Sequence, residues 1–416
     1  MERKLLLLLV LTSFYTHSIL PIGVQSIWGR ISYSDLLGLI VLFLSINRLK
    51  YYFEYTTKIS VVYVNAFVLV TYFFLSYVIS LSPIQTIVES LIHYFLVLLS
   101  IVFFFNFKDR LFSSLIPIII DTLIIASILG FYDLVASMSG LPRLFPGRAN
   151  AELMAGFRNA GQAGAYFMVF LALLIPLRVS PLKKKLSKKN VFKLDIAIFL
   201  GIIFLFASGK IAAYIGFSVG IVLYVLQSRN IYSIIFVAIL GYSLFYTFNN
   251  LNNIAPDLYK RLNAKIETRI IQNVNGTSKD KFIEKNFGKA FEAFLDHPFF
   301  GTGLGGFQGH YHQNEVHSTY VKMIGETGVL GVLFYLVFIL TFISLFYRPK
   351  KTVKNNPYYT YLLKMRPFIV GCLVSWGYTY HLRKREFWIM VAILMIIRYQ
   401  AKIWDYNKIN LNKNVS

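Results

Sequence analysis

The sequence predicts an all-α, polytopic membrane protein with about twelve transmembrane helices and one large outer loop. Apolar residues make up 56% of the 416 residues, whereas charged residues make up only 15%. A soluble protein of this length carries roughly 25% charged residues. The apolar residues also recur in runs of about twenty, which is the length of helix that spans a bilayer.

These apolar runs place the spans in order along the chain. They lie near 5–23, 33–47, 59–80, 86–106, 112–136, 160–178, 194–208, 211–227, 231–248, 326–347, 362–380 and 385–401. The first run has the basic start and apolar centre of a signal peptide, but no small-residue cleavage site follows it. It is therefore predicted to remain as a membrane helix.

Basic residues in the short loops predict the orientation of these spans. Clusters such as Arg48 with Lys50, Lys108 with Arg110, and the lysines within 183–193 all fall on the same side. That side is predicted to be cytoplasmic, with both termini on it. The positive-inside pattern accounts for the net charge of +23, so nucleic acid is not an expected partner. The predicted location is the cytoplasmic (inner) membrane, with the phospholipid bilayer as a partner.

One basic segment contradicts this orientation. His381, Arg383, Lys384 and Arg385 would lie on the outer side. Either the last helical hairpin is miscounted, or these charges face an anionic ligand. The sequence leaves both explanations open.

The predicted topology divides the chain into three parts. Residues 1–248 hold helices one to nine with an outer loop near 138–159, residues 249–325 form a large extracytoplasmic loop, and 326–416 hold helices ten to twelve with a cytoplasmic tail. Apolar residues at helical spacing in 258–271 and 281–296 predict amphipathic helices in the large loop. Such helices either lie on the outer leaflet or pack on the mouth of the membrane domain.

The large loop carries four of the seven histidines, namely His297, His310, His312 and His317. No recognised zinc-ligand spacing accompanies them, so a metal site is not expected. A single histidine acting as general base is the favoured role, because its pKa lies near ambient pH. His310 and His312 are expected to be ordinary surface histidines. The glycines of GTGLGG are predicted to form a tight turn, since no βαβ unit surrounds them.

Several cationic residues lie in or near the predicted outer mouth, where they could bind a phosphate or a glycan. They are Arg158, Lys210, Arg261, Arg269 and Lys281. Lys210 stands between two apolar runs, where a charge in hydrocarbon would be costly. Snorkelling to the interface and binding of a phosphate are both open for it.

Two linked motifs resemble the O-antigen polymerase and ligase superfamily of bacterial membrane glycosyltransferases. The first is HP-x-x-G-x-G-x-G, from His297 to Gly305, and the second joins His317-Ser318-Thr319-Tyr320-Val321 to E-x-G-x-x-G, from Glu326 to Gly331. Weaker similarities lie at GFRNAGQAGAYFM, residues 156–168, and at LFASGK, which ends in Lys210. The resemblance covers about 150–345, and the first five spans add only hydropathy.

This resemblance implies a metal-independent enzyme without cofactors that acts on undecaprenyl-diphosphate-linked oligosaccharides at the outer face of the membrane. The essential histidine of the family matches His317, the implied general base. His297, Gly301, Gly303, Gly305, Ser318 and Glu326 match the supporting motif. The family's S-R-G arginine matches Lys210, which loses the bidentate fork suited to a diphosphate. Arg158, Arg261, Arg269 or Lys281 would then contribute to binding the diphosphate or glycan.

The resemblance favours polymerisation of lipid-linked repeat units into O-antigen, capsule or exopolysaccharide. The first alternative is an O-antigen ligase of lipopolysaccharide biosynthesis, which transfers the glycan to lipid A core. The second alternative is a polysaccharide or lipid-glycan transporter, which would be expected to show related halves. A chain-length regulator and a flippase of the same pathway are the implied protein partners.

Overall fold

A computed structural model of the chain describes residues 1–16, 31–145, 155–228, 287–313, 315–349 and 355–413, with scattered positions between 235 and 267. Within these residues the fold is built from α-helices, and no β-strand occurs in them. The continuous helices are α1 Glu2–Thr12, α2 Tyr33–Ile59, α3 Val61–Leu75, α4 Pro83–Phe107, α5 Ile116–Ser139, α6 Ala160–Val179, α7 Lys188–Ala207, α8 Ile211–Ser228, α9 Lys289–Asp296, α10 Thr319–Ser344, α11 Pro357–Ser375 and α12 Arg385–Lys413. A π-helical turn, Leu111–Leu115, precedes α5.

Nine of the described helices are long and apolar enough to cross a membrane, and these are α2 to α8, α10 and α12. The multi-pass, all-α prediction is therefore confirmed. The total of about twelve spans stays a prediction. The first predicted span is described only to residue 16, and most of 231–248 lies outside the described residues. α11 carries Lys364 and Arg366 and is not one of the nine.

Local sequence signals set the ends of several helices. Pro83 opens α4 at a first-turn position, where its missing N–H would have no partner in any case. The Asn356 side chain caps α11 by accepting a hydrogen bond from the Tyr358 N–H at 3.0 Å. Gly140 ends α5 in the left-handed conformation, with φ of +72°. These signals set the residues at which the helices end and the connecting segments begin.

Small residues allow the closest approach between two helices, α8 and α11. A Cβ added at Gly216 would lie 2.5 Å from the carbonyl oxygen of Gly371. Elsewhere α6 runs through the interior of the bundle, where the ring of Phe167 stacks on Phe204 with 4.2 Å between centroids. The packing follows the rule that small and aromatic residues interlock in apolar helix bundles.

The described part of the large loop packs on the start of α10. Ala290 and Ala293 on one face of α9 are buried, and a Cβ at Gly325 of α10 would lie 3.2 Å from Ala290. The opposite face of α9 exposes Phe291 and Leu295. α9 thus packs on the helical bundle and also presents an apolar surface. The other predicted amphipathic stretch, 258–271, falls largely outside the described residues.

Candidate active site

His317 lies immediately before the N-terminus of α10. Ser318 caps this helix, because its side-chain oxygen accepts a hydrogen bond from the Val321 N–H at 3.3 Å. Val316 and Ser318 on either side of His317 are buried, whereas His317 itself is exposed. The buried neighbours therefore anchor the backbone and present the imidazole at one end of the bundle.

The glycine-rich turn and the first part of α10 form one packed unit. α10 is interrupted at Gly328, where φ is +60°, and the Val329 N–H donates to the Pro298 carbonyl at 2.9 Å. Gly301 lies against this break with φ of +73°, and a Cβ there would come within 2.3 Å of the Glu326 carbonyl carbon. Only glycine satisfies both the backbone angle and the close approach.

The other residues of the supporting motif hold the same turn in place. Glu326 accepts a hydrogen bond from the Gly305 N–H at 2.5 Å, and Gly303 packs directly on Ser80. His297 ends α9, and its carbonyl accepts the Gly301 N–H at 2.9 Å. The structure thus brings the two halves of the motif together. Sequence spacing alone did not reveal these contacts.

A network of ion pairs near His317 joins α4, α10, the segment that precedes α10 and the connection between α11 and α12. Lys322 of α10 has a fully buried side chain, and its Nζ lies 2.8 Å from Glu315 and 3.5 Å from Glu326. Arg383 pairs with the other oxygen of Glu315 at 2.9 Å and with Glu89 of α4 at 2.6 Å. Buried charges are tolerated only when they are paired in this way.

The basic segment that contradicted the predicted orientation lies at the same end of the bundle as His317. The connection between α11 and α12 is tied to the start of α10, because the Thr319 N–H donates to the Trp376 carbonyl at 2.9 Å. The Thr319 hydroxyl donates to the Thr379 carbonyl at 2.7 Å. Arg383 in this connection was not among the site residues predicted from the sequence. The feature of the sequence that pointed to it was a basic segment on the predicted outer side, which departs from the positive-inside pattern.

Lys210 lies in the short connection between α7 and α8 and packs on the N-terminal turn of α6. A Cβ added at Gly164 would lie 2.7 Å from the Cβ of Lys210, and one at Gly161 would lie 3.5 Å from its Nζ. The glycines of the 156–168 segment therefore make room for the lysine side chain. The segments 156–168 and LFASGK, which carry the two weaker similarities, are therefore in contact. The positive charge of Lys210 also lowers the pKa of His317.

These surroundings favour a neutral imidazole at His317. Partial desolvation lowers the pKa of His317, and the positive charges of Lys210, Arg383 and Lys322 lower it further, against the opposing effect of Glu315. Burial alone would raise the pKa of Glu315, but Lys322 and Arg383 hold it well below its usual range. A neutral imidazole beside a carboxylate is suited to accept a proton at neutral pH.

A cavity of about 420 Å³ lies beside this network, between α1, α2, α4, α6 and α12. Its basic lining consists of Arg158, Arg383, Lys384 and Arg385. Its apolar wall includes Leu39 of α2 and Leu91 of α4, residues that are 49% and 53% exposed. A space with a cationic lining and a partly exposed apolar wall suits an anionic headgroup on a long hydrocarbon chain.

The remaining predicted residues are placed as follows. Arg158 is held at the cavity by its backbone N–H, which donates to the Thr16 hydroxyl at 2.7 Å. His310 contacts the Ser82 hydroxyl at 3.3 Å, and His312 stacks near Phe307. Arg261, Arg269 and Lys281 lie outside the described residues. Metal independence stays a prediction, although no group of three metal-ligating side chains is found in the described ranges.

Comparison with protein-family models identifies this part of the chain. The family model described as O-antigen ligase matches residues 196–336. The matched segment contains Lys210, the glycine turn, His317 and Glu326. A comparison with curated proteins gave no match. The resemblance to the O-antigen polymerase and ligase superfamily is confirmed over these residues, and membrane glycosyltransfer is the general activity that this family supports.

Proposed function

We propose that this multi-pass protein of the O-antigen polymerase and ligase superfamily polymerises lipid-linked oligosaccharide repeat units into surface polysaccharide. The donor would be an undecaprenyl-diphosphate-linked glycan at the outer face of the cytoplasmic membrane. The observation that carries the proposal is the exposed His317, surrounded by the charges of Lys210, Arg383 and Glu315 and set at the cavity end of the bundle.

The proposed reaction forms one glycosidic bond and breaks one glycosyl phosphate bond. The acceptor hydroxyl oxygen attacks the anomeric carbon of the donor, and the bonding electrons leave with undecaprenyl diphosphate. His317 takes the proton of the attacking hydroxyl as general base. Because the glycosyl phosphate bond is already activated, the step needs no nucleotide.

The charges around the cavity serve the leaving group in this proposal. Negative charge on the diphosphate grows as the bond breaks, and fixed cations stabilise it most in the transition state. Of the predicted binding set, Arg158 lines the cavity, whereas Lys210 packs against Gly161 and Gly164 of α6. Arg261, Arg269 and Lys281 remain proposed ligands of the diphosphate or glycan. The exposed leucines of α2 and α4 would contact the prenyl chain.

Ligation is the second candidate, because the matching family model is described as O-antigen ligase. A ligase would use the same donor chemistry and differ in its acceptor, a sugar of the lipid A core. Both activities would use His317 as general base on the acceptor hydroxyl and undecaprenyl diphosphate as leaving group.

Deletion of the gene followed by complementation distinguishes these activities. We expect the deletion strain to carry single repeats on its lipid A core, and the wild-type chain to restore long polysaccharide on a gel. Long chains that accumulate on the carrier lipid would instead identify a ligase. Repeats trapped at the cytoplasmic face would identify a transporter, and an unchanged polysaccharide would contradict all three.

A further inference from the structure

Arg383 has two faces with different surroundings. On one face Nη1 lies 2.6 Å from Glu89 and Nη2 lies 2.9 Å from Glu315. On the other face the side chain is 26% exposed and lines the cavity beside Lys384 and Arg385. A guanidinium carries five N–H donors, so the two carboxylates leave donors that can bond an anion in the cavity.

Glu315 extends this contact to the segment that carries His317. One oxygen of Glu315 is held by Arg383 and the other by Lys322, at 2.8 Å. The carboxylate stands two positions before His317 in the chain. Since Thr319 is also bonded to the connection that carries Arg383, the backbone around His317 is held on both sides by that connection.

The cavity lining is richer in cations than in carboxylates. Four basic residues line it, against the carboxylates of Asp35 and Glu386. Burial lowers the pKa of Lys384 to about 8, and Arg383 adds to this effect while Glu386 opposes it. A bound anion would favour the charged form of this buried lysine, and the four basic side chains of the lining suit a negatively charged ligand.

We propose that Arg383 binds the anionic headgroup of a prenyl diphosphate in this cavity and, through its ion pair with Glu315, positions His317 for the transfer. The cavity and the base are thereby linked by one guanidinium–carboxylate contact. Arg383 is a binding residue and Glu315 a positioning residue. Both roles rest on the proposed function: the binding role rests on its donor, and the positioning role rests on the transfer.

Binding is tested with the full-length protein in nanodiscs and farnesyl diphosphate as the probe, measured by calorimetry. We expect Arg383→Gln to weaken binding about tenfold or more, because a charge-assisted hydrogen bond to phosphate is lost. Arg383→Lys, which keeps the charge and the fold, should weaken it less. Arg366→Gln, on a side chain that contacts the Phe346 carbonyl, is the matched control.

Two further probes separate the parts of the ligand. Farnesol without phosphate should fail to bind, and inorganic pyrophosphate should bind more weakly than farnesyl diphosphate if the apolar wall contributes. Wild-type affinity in both Arg383 variants would overturn the proposal, as would a wild-type protein that binds farnesol equally well. These results do not depend on whether the chain is a transferase.

The positioning role is read from the pH dependence of turnover. The charged groups that act on His317 are Glu315, Lys210, Arg383 and Lys322. Removing the negative charge of Glu315 lowers the pKa of His317, so Glu315→Gln should move the acid limb of the rate profile to lower pH. Arg383→Gln removes a positive charge and should move it to higher pH. A merely structural role would shift neither limb, and identical profiles would overturn the positioning.

Discussion

Replacing His317 with alanine is expected to abolish polysaccharide elongation while the protein stays folded in the membrane. Its imidazole is exposed, whereas the side chains of Ser318 and Glu326 hold backbone N–H groups of the motif. Loss of a general base lowers a rate by about 10²- to 10⁴-fold. The measurement is the length distribution of surface polysaccharide in a deletion strain that expresses each variant at matched levels.

His312→Ala is the matched control for this experiment. His312 belongs to the same loop and packs near Phe307, whereas the ion pairs of Lys322 are made with Glu315 and Glu326. Long chains should appear with His312→Ala and not with His317→Ala. Long chains at wild-type abundance with His317→Ala would exclude the general-base role and favour the transporter alternative.

Replacing Lys322 with methionine is expected to give the largest loss of stability. The lysine is fully buried between Glu315 and Glu326, so its removal leaves Glu326 without its cation and Glu315 with Arg383 alone. Breaking a buried ion pair from one side costs about 3–5 kcal/mol. The free energy of unfolding can be measured by reversible denaturation in mixed micelles.

Lys289→Met provides the comparison for that measurement. Lys289 of α9 pairs with Glu292 at 2.5 Å, but the two side chains are 46% and 50% exposed. A solvent-exposed pair contributes about 0–1 kcal/mol, so this variant should unfold close to wild type. Equal losses in the two variants would show that the burial of Lys322 does not matter.

The sequence allowed prediction of the fold class and of the motif, but not of the charge network. Apolar runs identify membrane helices because backbone groups in lipid must be satisfied within the helix. The partners of Arg383 are remote, since Glu89 is 294 positions away and Glu315 is 68 positions away. No periodicity within one segment reveals such pairs.

The start of α10 shows a second limit of reading hydropathy. The span was predicted to begin near 326, whereas the helix begins at Thr319. Lys322 and Glu326 lower the apolar signal of the first turns, yet they pair with each other one turn apart inside the protein. A charge that is neutralised by a buried partner belongs to the helix although its own hydropathy argues against it.

The most direct test of the proposed transfer is release of the carrier lipid in a reconstituted system. Purified protein in liposomes would receive an undecaprenyl-diphosphate-linked oligosaccharide, and free undecaprenyl diphosphate and glycan length would be measured together. We expect the wild-type protein to release the carrier as the glycan lengthens, and His317→Ala to release almost none. Elongation that continues in His317→Ala, or wild-type protein that moves the lipid across the bilayer without releasing the carrier, would contradict the account.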